Sequence, residues 1–232
     1  MTSWKNNNLL YSMREAGEKT VAKSRKSLDI LINNRIKKQG PNCDLNDIDV
    51  SHIADMSYLF YAAAEDFNGD ISQWDVSNVK NMSAMFYRCK FNGDISSWNV
   101  SSVTNMESMF CRSKFNGDIS KWNVSSVENM HTMFRDSAFN GDISTWDVSS
   151  VKTMAAMFLD SEFNGDISGW NVSNVENMQM MFTESKFGGD LSKWNVSEGA
   201  NLSDMFWGSQ VKGRKRPAWY VDWVHKHLRN RH

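Results

Sequence analysis

Six aspartates recur at one spacing: Asp70, Asp94, Asp118, Asp142, Asp166 and Asp190 lie 24 residues apart. If the repeats stack, these carboxylates form a row along one edge. Two chemistries suit such a row. Oxygen ligands in series can hold calcium. Alternatively, each carboxylate accepts hydrogen bonds from backbone N–H groups of its own turn. The local solution is the expected one. Like charges about 5 Å apart repel unless each is compensated. The spacing is also neither the nonapeptide calcium repeat nor an EF-hand loop.

Other reactive side chains do not assemble. His52, His131, His225, His227 and His232 neither repeat nor join a triad or metal set. The glycines of the Asn-Gly-Asp triplets come once per repeat, so they form no phosphate loop. Cys43, Cys89 and Cys111 are odd in number and lack ligand spacing, as free thiols in a reducing compartment would. No catalytic residue, metal or cofactor is expected, and the chain reads as a non-enzyme.

The aspartates must be positioned by the repeat that contains them. Phe-Asn-Gly-Asp-Ile-Ser-x-Trp-Asp/Asn-Val-Ser begins at Phe67, Phe91, Phe115 and Phe139, then at Phe163 and, slightly altered, at Phe187. A fixed period of this length predicts a repeat solenoid, in which each unit buries its apolar face on the next. Phe67, Ile71, Trp74, Val76, Val79, Met82, Met85 and Phe86 head the apolar columns. Ile71-x-x-Trp74-x-Val76 is spaced as a leucine-rich-repeat strand. Val79 to Phe86 has the spacing of a short helix or 3₁₀ turn, with Ser77 as its N-cap. Asn68-Gly69 is a turn signal. A degraded copy, Leu45-x-x-Ile48-x-Val50, brings the total to about seven coils. At about 4.8 Å per coil the stack is roughly 30 Å long.

The expected organisation has three parts. Residues 1–42 form a basic helical N-terminal cap, with Leu28, Leu31, Ile32 and Ile36 at helical spacing before Gly40-Pro41. Leu9, Leu10 and Met13 begin a preceding helix. Residues 43–210 form the solenoid. Residues 211–232 form a basic aromatic C-terminal helix, entered at Pro217, with Tyr220, Trp223, Val224 and Leu228 on one face. Such caps cover the open ends of a stack.

Net charge is -1, but it is unevenly placed. Lys and Arg outnumber Asp and Glu nine to three in residues 1–43 and seven to one in 212–232, whereas 44–211 holds ten against 23. The acidic body repels nucleic acid and the basic ends attract polyanions. Lys212, Arg214, Lys215 and Arg216, with Trp219 and Trp223, are the polyanion-binding candidates, although both tryptophans also suit a cap. No stretch approaches the roughly 20 apolar residues of a membrane span, and the opening residues hold no apolar signal core. A cytoplasmic location without membrane contact is expected.

Candidate partner-binding positions lie in the outward columns. Asp75, Asn99, Asn123 and Asp147 belong to a uniform polar column, the kind that more often satisfies itself between neighbours. Gln73, Lys121 and Lys193 belong to a variable one, open either to recognition or to plain solvent exposure. A second variable face contains Arg88, Arg112 and Arg135. One of its columns changes sign, from Arg88 and Arg112 to Asp136, Asp160 and Glu184. A partner, or a second copy packed antiparallel, suits that polarity; a solvated edge is the bland alternative.

The string Phe-Asn-Gly-Asp-Ile-Ser-x-Trp-Asp-Val-Ser-x-Val-x-x-Met-x-x-Met-Phe resembles the BspA-like leucine-rich repeats, in the branch catalogued as a mycoplasma repeat of unknown function. The resemblance covers about residues 43–206. It implies an α/β repeat solenoid: a right-handed leucine-rich-repeat-like stack with a parallel β-sheet. It implies no common enzymatic activity; adhesion and protein binding are the usual suggestions. Where ordinary leucine-rich repeats place an asparagine after the strand, this chain has Val79, Val103, Val127, Val151 and Val175. Their asparagine ladder is therefore expected to be absent or replaced. The expected function is a protein-interaction scaffold. The resemblance allows a phage or mobile-element protein that sequesters a host protein. The alternatives are nucleic-acid binding through the basic termini and a self-assembling structural or surface protein, such as a homodimer.

Overall fold

The repeat that starts at Phe67 contains the pattern Asx–apolar–Ser three times, in Asp70-Ile71-Ser72, Asp75-Val76-Ser77 and Asn81-Met82-Ser83; later repeats keep the first two and vary the third, as in Asn105-Met106-Glu107. In the computed structural model, which describes residues 19–61 and 64–228, every one of these is a corner. Oδ1 of Asp70, Asp75 and Asn81 accepts the N–H two residues on, at 2.9, 3.0 and 3.0 Å. This is the Asx-turn, and it leaves the middle residue pointing inward; Ile71, Val76 and Met82 are all buried. After three corners the chain lies beside its own next repeat. Asp55, Asn81, Asn105, Asn129, Thr153, Asn177 and Asn201 form one row of parallel bridges.

The contacts between repeats differ from the expectation in a defined way. Ile71–Val76 is not a strand, and no helix covers Val79–Phe86. The backbone ladder instead runs through Met82–Arg88. The N–H groups of Met82, Ala84, Phe86 and Arg88 donate to the carbonyls of Asn105, Glu107, Met109 and Cys111 at 2.7 to 3.0 Å. The intervening N–H groups of Met85, Tyr87 and Cys89 bond three residues back, at 3.1 to 3.2 Å. Alternate amides thus bind the neighbour and close a local turn. The local turns impose inward spacings of three, which is why this stretch reads as helical in sequence. Ser77 caps no helix; its N–H donates to Asp75.

This ribbon requires φ > 0 at two places per repeat, and non-glycine residues fill both until the last repeat, where Gly208 takes the second. Ala84 and Arg88 have φ of 51° and 56°, and Ser108, Arg112, Thr132 and Asp136 follow at 51° to 57°. A left-handed residue at the third position is the mark of a type II turn. A β-branched residue is least suited to it. Thr132 is held there by its hydroxyl, 2.6 Å from Ser108 Oγ and donating to the His131 carbonyl at 2.8 Å.

On the opposite stretch, tryptophan side chains replace backbone pairing. Nε1–H of Trp98, Trp122, Trp146, Trp170 and Trp194 donates to the carbonyl of Ile71, Ile95, Ile119, Ile143 and Ile167 in the preceding repeat, at 3.0 to 3.2 Å. The core also holds two phenylalanine columns. In the first, from Phe60 through Phe86 to Phe206, successive centroids are 5.3 to 5.8 Å apart. In the second, from Phe67 to Phe187, they are 6.0 to 6.3 Å apart. The glycine after each Phe-Asn is packed under that ring. A Cβ on Gly117 would lie 2.9 Å from a ring carbon of Phe115.

Asn68-Gly69 is more than a turn. Oδ1 of Asn68, Asn92, Asn116 and Asn140 accepts the N–H of Asn92, Asn116, Asn140 and Asn164 in the following repeat, at 2.7 to 2.8 Å. An asparagine ladder is therefore present, shifted to a different column. It ends where Asn164 accepts from Gly188, which has no side chain to pass it on.

Both ends are covered. The first helix, α1 (Arg25–Gln39), starts at Ser24 in a capping box with Ser27 and stops at Gly40, whose φ is 87°. It buries Leu28 and Ile32, and Arg35 grips Asp47 through two hydrogen bonds of 2.9 and 2.7 Å. Ahead of it, β1 (Thr20–Val21) pairs in parallel with β2 (Ile48–Asp49). Among the described residues this pair and the isolated bridges are all that represents the expected sheet. Leu9, Leu10 and Met13 lie outside the described residues. At the far end, α2 (Ala218–Leu228) lays Trp219 on Trp194 at 6.3 Å and Tyr220 edge-on to Phe206 at 4.9 Å.

Candidate interaction face

The uniform polar columns are committed to the stack itself. Every aspartate from Asp70 to Asp190 accepts the N–H of the serine two residues on, at 2.8 to 2.9 Å. Those bonds favour the ionised form and hold all six carboxyls below their ordinary range. Among the described residues, no three His, Cys, Asp or Glu side chains are grouped as a metal site. Asp75, Asn99, Asn123 and Asp147 also accept from the serine two residues on, at 3.0 to 3.2 Å. These four candidates face solvent, with one oxygen already engaged in a corner.

Gln73, Lys121 and Lys193 are exposed between those corners. Ser97 and Thr145, in the same column, donate to the Ser72 and Ser120 carbonyls of the preceding repeat, at 3.3 and 3.2 Å. Lys121 and Lys193 lie close enough to the aspartate row to lower carboxyl pKa values, at Asp118 and at Asp166 and Asp190 respectively.

The sign-changing column lies elsewhere, on the αL residues of the ladder segment. Arg88, Arg112, Asp136, Asp160 and Glu184 are all exposed. The first four line an open groove of about 550 Å³, to which Lys114 and Glu162 also contribute. The Nε of Arg112 is 3.1 Å from Oδ2 of Asp136. Arg135 is half-buried beside them, and its Nε is buried without a hydrogen-bond partner. The groove is therefore basic at Arg88, Arg112 and Lys114, where Glu65 is the one carboxylate, and acidic toward Asp160 and Glu162. Lys114 and Glu162 are not among the residues singled out from the sequence. Their column (Lys90, Lys114, Ala138, Glu162, Lys186) keeps the same 24-residue period and was legible on that basis.

At the two ends of this face lie exposed aromatics. Tyr58 and Tyr61 are 57% and 42% exposed, and Trp207 is 61% exposed. Tyr61 meets Tyr87 edge-on at 5.4 Å.

The polyanion candidates are divided. Lys212, Lys215 and Arg216 are exposed, and the side chain of Arg214 lies outside the described residues. The two indoles are occupied in capping. Trp219 Nε1 donates to the Leu191 carbonyl at 2.9 Å, which adds one more rung to the tryptophan ladder. Trp223 Nε1 donates to the Ala200 carbonyl at 3.0 Å, and one face of its ring stacks on His227 at 4.2 Å. A base-stacking role would require these contacts to open. His232 lies outside the described residues.

Comparison with known families places this architecture. The family model described as "Mycoplasma protein of unknown function, DUF285" matches residues 33–138 and again 111–219. The chain belongs to this family. The two overlapping matches to this DUF285 chain reflect its internal repetition, in broad agreement with a repeat of the BspA-like kind. No curated protein and no solved structure matches it. No helix among the described residues is long and apolar enough to cross a membrane.

Proposed function

We propose that this DUF285 chain is a non-enzymatic solenoid of the BspA-like leucine-rich-repeat type that binds a protein partner through its charged, variable face. One observation carries the reading. The uniform polar columns are consumed by corners and ladders, whereas Arg88, Arg112, Asp136 and Asp160 vary in sign and line an open groove. Side chains freed from stacking are the ones a repeat scaffold has available for recognition. The three thiols are all free, which suits a cytoplasmic setting. Capture of a host protein by a phage or mobile-element product fits the same reading.

The test is a quantitative pull-down from nuclease-treated lysate. The baits are the intact chain and a chain with Arg88→Glu and Arg112→Glu. A stoichiometric protein held by the first bait and lost from the second is the expected result. Nucleic acid recovered equally by both baits when nuclease is omitted, with no protein, would overturn the reading in favour of the basic ends.

A further inference from the structure

We infer that the charged face pairs with the same face of a second copy of this chain, antiparallel, about a twofold axis through the Arg135–Asp136 repeat. The inference rests on the reading of that face as an interaction surface and specifies its occupant. Columns on a partner of arbitrary fold meet this face at few points. A second copy has the same spacing between coils, so its columns stay in register along the whole stack. Closed twofold pairing also requires a surface complementary to itself.

This face is complementary to itself. Turned antiparallel about Asp136, Arg112 of one copy meets Asp160 of the other, and Arg88 meets Glu184. Each contact occurs twice. In the neighbouring column, Lys114 meets Glu162. The aromatic ends also correspond, because Tyr61 then faces Trp207, and these are among the few large apolar side chains left exposed. At the axis two Asp136 carboxylates approach each other. Each already has Arg112 of its own chain as a partner. The least favourable pairing is Lys90 with Lys186; Lys90 is held by Asp66 of its own chain at 2.6 Å. A stack of roughly 30 Å matches the edge of a standard interface of about 800 Å² per partner.

Sedimentation equilibrium of the full chain tests this. The intact chain is expected to show a concentration-dependent mass rising to twice that of the monomer, with weaker association as salt is raised. Arg112→Glu alone and Asp160→Arg alone each create two like-charge contacts and should weaken association at least about tenfold. An equimolar mixture of the two variants should regain it, since both crossed pairs are then opposite in sign. One chain carrying both changes should regain it as well. Circular dichroism confirms that each variant is folded. Three results would overturn the inference: an intact chain that stays monomeric, single variants that dimerise like the intact chain, or a mixture that stays monomeric. None of these overturns the broader reading, since a monomeric chain that captures a different protein and loses it on charge reversal would still use this face for protein binding.

Discussion

The aspartate row shows how one side chain serves the coil rather than a ligand. Its carboxylates hold the corners, and in the adjacent column asparagine does the same at Asn99, Asn123 and Asn171. Asp118→Asn, which keeps an oxygen acceptor for the Ser120 N–H, should therefore cost less in denaturant unfolding at neutral pH than Asp118→Ala, which removes it. The pH dependence has a definite sign. Carboxyls whose pKa is depressed in the folded chain stabilise it above their unfolded pKa of about 4. That stability is lost as pH falls through the lower folded value. The melting temperature should thus drop on the acid side of pH 4, and less steeply in a chain with several of these aspartates changed to asparagine. Calcium or a chelator should leave the melt unmoved. The cysteines give an independent check. Burial pushes the thiols of Cys89 and Cys111 up to about 11, so alkylation near pH 8 should be slow in the folded chain and fast once it is denatured.

At the scale of the element, the repeat depends on shape as much as on apolar character. Gly117→Ala places a methyl group 2.9 Å from the Phe115 ring; it should destabilise by about 1–3 kcal/mol, the cost of overpacking. Trp122→Phe preserves an aromatic core residue but removes the indole N–H from the Ile95 carbonyl, which keeps the Trp98 N–H. Its expected cost is about 0.5–1.5 kcal/mol for the lost hydrogen bond, measured by chemical denaturation. These elements were unequally legible. The apolar columns were plain, because every coil must present the same side chain at the same depth. The direction of backbone pairing was hidden. Leucine-rich-repeat spacing at Ile71–Val76 suggested a strand there, yet tryptophan indoles make that contact. The Met82–Arg88 ladder relies on left-handed Ala84 and Arg88, which carry no glycine signal.

The whole molecule divides into columns that hold the coils together and columns left free. Charge reversal at Arg88 or Arg112 should therefore change association while leaving the melting temperature nearly constant, as surface substitutions do. Sequence made the change of sign along this column visible. It did not reveal the groove, since its lining is gathered from successive coils 24 residues apart. The basic C-terminal segment looked like a polyanion site because charge and aromatics alternate; end-capping had the stronger claim on Trp219 and Trp223. Everything proposed for the charged face depends on Met82–Arg88 and its equivalents being the ladder that sets the αL side chains in register. Residue-resolved amide hydrogen exchange tests that most directly. Slow exchange of the Met82, Ala84, Phe86 and Arg88 amides and their counterparts in each inner coil, with faster exchange across Ile71–Val76, is the predicted result. The reverse pattern, protection in Ile71–Val76 with rapid loss from Met82–Arg88, would contradict it.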